Sequence, residues 1–165
     1  MDKVEWIIAY DPSGNFSEGK GETGICIFNC TQNAVQNTST IKANDYECAE
    51  EYWYRHIELL DRFMLTHKNA VISMEDYQLY AGKAAAQIHS KFETVQLIGI
   101  IKMHCFLKGY KLYMRPAVTV KKRWSDEILT HHGYLPKQLS GPPLVSHEVD
   151  AIRHAVHTYT FEIRS

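Results

Sequence analysis

Two acidic residues stand where hydrophobic runs stop. Val4-Glu5-Trp6-Ile7-Ile8-Ala9-Tyr10 is a β-branched and aromatic stretch that ends at Asp11-Pro12-Ser13-Gly14-Asn15, a cluster of turn formers. Ala70-Val71-Ile72-Ser73-Met74 delivers Glu75 in the same way. Open α/β sheets place their sites at such strand ends, so two carboxylates far apart in the chain are expected to converge. A third group lies in His147-Glu148-Val149-Asp150-Ala151, where His147 and Asp150 share a helix face that His154 and His157 continue. Asp11, Glu75, Asp150 and His147 together offer the oxygen-rich, partly imidazole set suited to Mg²⁺ or Mn²⁺, with no thiolate to favour zinc. Paired ions about 3.5–4 Å apart activate a water and stabilise the leaving oxygen in phosphodiester cleavage. Each residue also has a plainer role. Asp11 can open a turn, Asp150 can complement a helix dipole, and His154 and His157 can be ordinary core or surface histidines.

The charges around these residues are segregated. Net charge is −1, yet no acidic residue occurs between Glu93 and Asp126, and that interval carries 7 of the 18 lysines and arginines. They are Lys102, Lys108, Lys111, Arg115, Lys121, Lys122 and Arg123, with Tyr110, Tyr113 and Trp124 interleaved. Such a strip can form a local phosphate-binding face whatever the total charge, and beside metal-binding acids it points to a nuclease. The plainer alternative is a solvated basic face balanced by acids elsewhere, such as Asp45, Glu47, Glu50 and Glu51.

The elements that must position these groups follow from periodicity. Besides the two acidic strands, Thr23 to Phe28 reads as a strand after a glycine-rich excursion, Ser39-Thr40-Ile41 as a further strand, and Lys111 to Met114 as another. Asn44 with Glu47 predicts a cap for a helix over roughly 45–66, with Ala49, Trp53, Ile57, Leu60 and Met64 at helical spacing. A second helix is expected over roughly 90–108, with Phe92, Val95, Ile98, Ile101 and Cys105 on one face and Gly109 as its stop. Pro116 starts a short helical segment through Trp124, and irregular chain follows at His131-His132-Gly133 and Gly141-Pro142-Pro143. Ser146 is the expected cap of a last helix that packs through Ala151, Ile152, Ala155 and Val156. This order predicts an α/β fold, a mixed sheet flanked by helices, in a single domain over 1–165.

Composition bounds the rest. A chain of 165 residues, 45% hydrophobic and 22% charged, is globular in character, which excludes a disordered tail, a collagen-like fibre and a two-domain enzyme. Runs such as Leu97-Ile98-Gly99-Ile100-Ile101 fall short of a membrane span, and Met1-Asp2-Lys3-Val4-Glu5 is unlike a signal peptide, so a cytoplasmic protein with no membrane partner is expected. Cys26, Cys30, Cys48 and Cys105 lack paired spacing and are expected to be reduced thiols.

Four segments resemble a known family. Ile7-Ile8-Ala9-Tyr10-Asp11-Pro12-Ser13-Gly14, followed by Thr23-Gly24-Ile25-Cys26-Ile27-Phe28, is similar to the opening of RuvC-type Holliday junction resolvases, where Asp-Pro-Gly and then Thr-Gly flank the first hairpin. Val71-Ile72-Ser73-Met74-Glu75 resembles the second acidic strand. Tyr113-Met114-Arg115-Pro116 through Val118-Thr119-Val120-Lys121 resembles the Tyr-x-Pro…Val-Lys segment, and His147-Glu148-Val149-Asp150-Ala151 the closing (Asp/His)-x-x-Asp-Ala. The resemblance spans nearly the whole chain. It departs at the longer Ser13–Glu22 segment, at Gly141-Pro142-Pro143, and at His147, where aspartate is frequent; this divergence and the small size resemble a bacteriophage-encoded relative.

What the resemblance implies is a ribonuclease H-like fold, a homodimer, and Mg²⁺-dependent nicking of four-way DNA junctions, with forks and flaps as further substrates in recombination, repair or packaging. Asp11, Glu75 and Asp150 would be acidic ligands of two ions, and His147 a fourth ligand or a group acting on the attacking water. Lys121 and Lys122 would contact the scissile strand, with Arg115 and Arg123 in the same basic strip, and Tyr77 or Tyr80 would stack at the junction centre. Dimerisation would use the 90–108 helix, whose Gln87, Lys91, Thr94 and Gly99 side allows a symmetry mate to approach while Val95, Ile98 and Ile101 cover the sheet. Two other functions fit the same pattern less fully. One is a non-catalytic module that holds branched DNA; the other is an actin-like ATP-binding domain, which lacks a second phosphate loop here.

Overall fold

The computed structural model describes residues 3–77, 92–135 and 143–164. Strands β1 (Trp6–Asp11), β2 (Glu22–Asn29), β3 (Ala34–Lys42), β4 (Ala70–Glu75) and β5 (Leu112–Arg115) form one sheet in the order β3-β2-β1-β4-β5. β1 to β3 are antiparallel neighbours, whereas β4 and β5 run parallel to β1. The described helices are α1 (Ala49–Thr66), α2 (Glu93–Lys108), α3 (Ala117–Arg123), α4 (Asp126–His131) and α5 (Ser146–Thr158), and the chain then widens into a π-helical turn, Tyr159–Ile163.

The sheet is covered on both faces. Side chains alternate across a strand, so Ile8 and Tyr10 join Ile25, Ile72 and Met74 under α1 and α2, while Ile7 and Ala9 join Cys26, Phe28 and Val71 under α3, α4 and α5. This is the mixed sheet flanked by helices that the element order predicts, and it leaves the carboxyl ends of β1, β4 and β5 on one rim.

Several local expectations are corrected. Asn44 lies in a 3₁₀ turn, Ala43–Asp45, and α1 begins at Ala49 after Cys48. Ser146 is the first residue of α5 rather than its cap; Val145 takes the cap position and its N–H donates to Glu148 Oε2 at 3.0 Å. Residues 126–131, expected to run into irregular chain, form α4, capped by Ser125 Oγ accepting from the Ile128 N–H. On α2, Ile98, Ile101 and Cys105 face the core, but Val95 is 42% exposed and Phe92, 44% exposed at φ 51°, precedes the helix. Gly109, at φ 67°, ends α2 as its sequence position predicts. All four cysteines are free thiols. No helix among the described residues is long and apolar enough to cross a membrane.

Candidate active site

β1 and β4 are adjacent and parallel, with Tyr10 beside Met74, so Asp11 and Glu75 leave the sheet side by side. β1 is central and its Ile7 to Tyr10 side chains are fully buried, which fixes the strand and presents Asp11, 5% exposed, at its end. The segment after Asp11 is then clamped. Ser13 N–H donates to Thr23 Oγ1 at 3.0 Å, and Tyr52 Oη donates to the Ser13 carbonyl at 2.6 Å. His56 lies 2.8 Å from both the Tyr52 carbonyl, through Nδ1, and Thr23 Oγ1, through Nε2. A carbonyl only accepts, so Nδ1 carries the proton and Nε2 accepts from the Thr23 hydroxyl. Gly14 closes the loop onto α2, its N–H donating to Thr94 Oγ1 at 3.1 Å, so this Thr94 hydroxyl serves the loop.

α5 lies across β1, β2 and β4, packing through Ala151, Ile152, Ala155 and Val156, all fully buried. Its register is set by Ser73 of β4, which donates to the His154 carbonyl at 3.1 Å and meets Thr158 Oγ1 at 2.8 Å. At the other end, Gly24 of β2 allows the His147 backbone to approach, since a Cβ there would overlap the His147 carbonyl.

These contacts bring Asp11, Glu75, His147 and His154 together. His147 Nδ1 lies 2.6 Å from Asp11 Oδ2, and Asp11 is also hydrogen-bonded to Glu75. Among the described residues, the potential metal-ligand atoms of Asp11, Glu75 and His154 all lie within 4.8 Å of one another. His154 stands in this group beside the expected carboxylates, and His147 reaches it through Asp11. The signal was present, because His154 follows Asp150 by one helical turn on the same face. Asp150, 9% exposed, points at cations: Lys121 Nζ is 2.8 Å from its Oδ2, and Arg153 binds its Oδ1 while also holding Asp126 and the Trp124 carbonyl.

The electrostatics match this crowding. Burial, then the hydrogen bond and charge of Asp11, push Glu75 up to about 8, against the pull of Lys121. Burial would raise Asp11 too, but its hydrogen bonds with His147 and Glu75 and the nearby imidazoles hold it below its ordinary value. Its partner His147 is raised by that hydrogen bond. Burial pushes His154 down to about 4, so at neutral pH its imidazole is uncharged and free to ligate. Two carboxylates held against each other with a proton between them, beside a neutral imidazole, fit a hard divalent cation in place of that proton.

The remaining candidates are spread around the rim. Lys122 and Arg123 are exposed at the end of α3. Arg115, beside Glu75 in the β4–β5 register, is ion-paired with Glu162. Tyr77 is partly buried against the core, and Tyr80, Gln87, Lys91, Gly141 and Pro142 lie outside the described residues. Of the interleaved aromatics, Trp124 is a core residue at 7% exposure and Tyr110 donates to Asp61 at 3.0 Å. The strip is thus divided among α2, β5 and α3.

Known structures share this fold. T. thermophilus RuvC, solved in complex with Holliday junction substrate, superposes with a TM-score of 0.67 at 18% identity, over 94% of this chain and 93% of that one. The fold is RuvC-like. A second Thermus thermophilus RuvC structure gives a TM-score of 0.63 at 17% identity, over 93% of each chain. The five-stranded mixed sheet with helices on both faces is the ribonuclease H-like architecture of these neighbours. No known family's sequence profile matches the chain, and no characterised protein matches it in sequence.

Proposed function

We propose that the chain is a structure-selective endonuclease that nicks branched DNA, four-way junctions foremost and forks or flaps besides. The observation that carries this reading is the Asp11–Glu75 carboxylate pair at adjacent strand ends, with His154 as a neutral third donor and Lys121 at the edge. Asp11, Glu75 and His154, with Asp150 once Lys121 turns to the substrate, would hold Mg²⁺ or Mn²⁺, two ions per site. When bound, such ions lower the pKa of the attacking water and offset charge growing on the phosphate.

The chain's own groups supply the rest. His147 Nδ1 fixes the orientation of Asp11 Oδ2 and can hold a proton there. Arg153 anchors one oxygen of Asp150, which leaves the other to Lys121. Lys121 carries its charge at the pocket edge, where a phosphate would enter, with Lys122 beyond it. Tyr77, two residues past Glu75 and partly buried against the core, or Tyr80 would stack on an opened base.

A junction with near two-fold symmetry needs two sites, and the exposed face of α2 supports a homodimer. Ile100, Met103, Phe106 and Leu107 are 38%, 58%, 80% and 72% exposed there, and Gly99 leaves open space above its backbone.

The test incubates purified protein with labelled four-way junction, flap and linear duplex, in Mg²⁺ or chelator, and maps the nicks. Expected are metal-dependent nicks on opposed arms, lost in Asp11→Asn by roughly a hundredfold or more while junction binding persists. Binding without metal-dependent nicking by the wild type would leave a non-catalytic junction-holding module instead.

A further inference from the structure

We propose that Trp53 is a positioning residue for the carboxylate pocket: from the groove between α1 and α2 it holds the backbone that carries Asp11. This rests on the nuclease reading. Asp11, Pro12, Ser13 and Gly14 are all buried, although the last three form the loop that leaves β1. A surface loop gives its backbone groups to water, and a buried one must find them partners. Here four consecutive groups go to four side chains. The Ser13 N–H donates to Thr23 Oγ1 at 3.0 Å, and the Ser13 carbonyl accepts from Tyr52 Oη at 2.6 Å. The Gly14 N–H donates to Thr94 Oγ1 at 3.1 Å. The Gly14 carbonyl accepts from the Trp53 indole Nε1 at 3.3 Å and from the Phe16 N–H at 2.7 Å.

Trp53 differs from the other three in where its ring lies. Thr23 and Tyr52 are fully buried, whereas Trp53 is half-buried and lines the groove of about 600 Å³ with Ile57, Ile100 and Met103. One face of the indole is therefore groove wall, and its single donor enters the loop. The first turn of α2, the other wall, meets the loop too. A Cβ on Gly14 would lie 2.1 Å from the Glu93 carbonyl, and the Ser17 N–H donates to Glu93 Oε2 at 3.1 Å. Both walls of the groove thus grip one peptide, three residues from Asp11.

The path from that peptide to the carboxylate is short and stiff. Pro12 locks its own φ, Ser13 is pinned on both its N–H and its carbonyl, and β1 is fully buried behind Asp11. A displacement of the Gly14 carbonyl has few soft torsions in which to dissipate before it reaches Asp11. Partners beyond the ligands themselves set ligand orientation in metal sites, and Trp53 does so here through backbone.

The experiment compares Trp53→Phe, which keeps an aromatic wall and removes the donor, with Trp6→Phe at the opposite end of β1. Each is melted in chelator and across a Mg²⁺ series, and its junction nicking is assayed below the melting temperature. Trp53→Phe should bind Mg²⁺ about tenfold more weakly and lose kcat by a similar factor, the low end of what outer partners of metal ligands supply. KM for the junction should hold, since the basic surface is untouched. Trp6→Phe should change neither Mg²⁺ affinity nor kcat. The wild type gives a reading that needs no Trp53 variant: Mg²⁺ should move the NMR resonance of the Trp53 indole N–H and leave that of Trp6 in place. Asp11→Asn should abolish the movement. A Trp53→Phe protein that melts lower in chelator yet keeps its Mg²⁺ affinity and kcat would reduce the contact to packing and overturn the proposal, as would an indole resonance that stays still. If the wild type nicks and Trp53→Phe nicks equally well, the positioning role fails alone. A Mg²⁺-sensitive Trp53 resonance in a wild type that does not nick would retain the positioning role and reject the nuclease.

Discussion

His147 Nδ1 and Asp11 Oδ2 are 2.6 Å apart, and this contact joins the first turn of α5 to the end of β1 across 136 residues of sequence. It stabilises opposite charge states in its partners: the imidazole is raised and the carboxyl lowered. Glu75, on the other side of Asp11, is forced the opposite way because Asp11 already holds the negative charge. The pocket is therefore an acid pair sharing one proton, with an imidazole at each side.

That arrangement predicts how stability follows pH without metal. Asp11 is held below its ordinary 3.8, so its contribution is present above that value and lost only as pH falls through the lowered one. His147 is raised above 6.5; its contribution is complete below 6.5 and lost as pH rises through the raised value. Glu75 adds to this loss, since between 4.5 and about 8 the folded chain keeps a proton that the unfolded chain has released. In chelator the melting temperature should fall from pH 4.5 to about 8, and Glu75→Gln should flatten that fall. Saturating Mg²⁺ should restore stability most at the alkaline end, by about 2.7 kcal/mol at a hundredfold excess over Kd. A flat melting profile in chelator, unaffected by Glu75→Gln, would contradict the shared proton.

The clamp on the loop after Asp11 predicts a cost for Thr23→Val. The change keeps volume but leaves the Ser13 N–H and His56 Nε2 without their partner in a fully buried setting. Each unsatisfied group costs about 1–3 kcal/mol, so urea unfolding should show a loss of roughly 2–4 kcal/mol. Thr23→Ser keeps the hydroxyl and should recover most of it. A loss confined to Thr23→Ser, with Thr23→Val as stable as the wild type, would assign the effect to the methyl group rather than to the hydrogen bonds.

Gly24 predicts a coupled loss of stability and activity. Its Cβ position is occupied by the backbone of His147, which cannot swing aside as a side chain would. Gly24→Ala must push α5 away from β2 and carry His147 with it, at a cost of about 1–3 kcal/mol. Nicking measured well below the melting temperature should fall by at least tenfold, since the Asp11 partner is displaced. Full activity in a folded Gly24→Ala variant would show that the His147 contact is dispensable.

These pairs also show what could be read before folding. The strand ends at Asp11 and Glu75 were legible because β-branched runs stopped at turn formers or polar residues, and α5 because its alanines and β-branched residues repeat at helical spacing. How close each of the imidazoles on that face comes to Asp11 and Glu75 was not, because it depends on how α5 is rotated and slid over the sheet, and Ser73 and Gly24 set that from elsewhere in the chain. The same holds for Lys121, whose pairing with Asp150 joins two helices that local pattern cannot dock. The basic interval misled in its aromatics. Trp124 belongs to the core beneath α5, a placement that the lysines and arginine beside it conceal.

The exposed face of α2 predicts the effect of a charge at its most exposed aromatic. Phe106 is 80% exposed and follows Met103 by three residues, and Leu107 follows Met103 by four, so all three lie on neighbouring ridges of one helix. Met103 and Leu107 line a groove of about 600 Å³ with Trp53 and Ile57 of α1, and Phe106 lies outside that lining, next in the chain to Leu107. An apolar surface of this kind is stable in water when a second copy covers it, and a two-fold axis through α2 would set each ridge against its mate. Phe106→Glu brings like charges together across such an axis while leaving the monomer core intact. Sedimentation should then show a dimer for the wild type and the 19.0 kDa monomer for the variant, with an unchanged melting temperature at low protein concentration. Junction cutting should shift from paired to single nicks, because each monomer keeps its own pocket. A wild type that sediments as 19.0 kDa with and without junction DNA would sink the dimer.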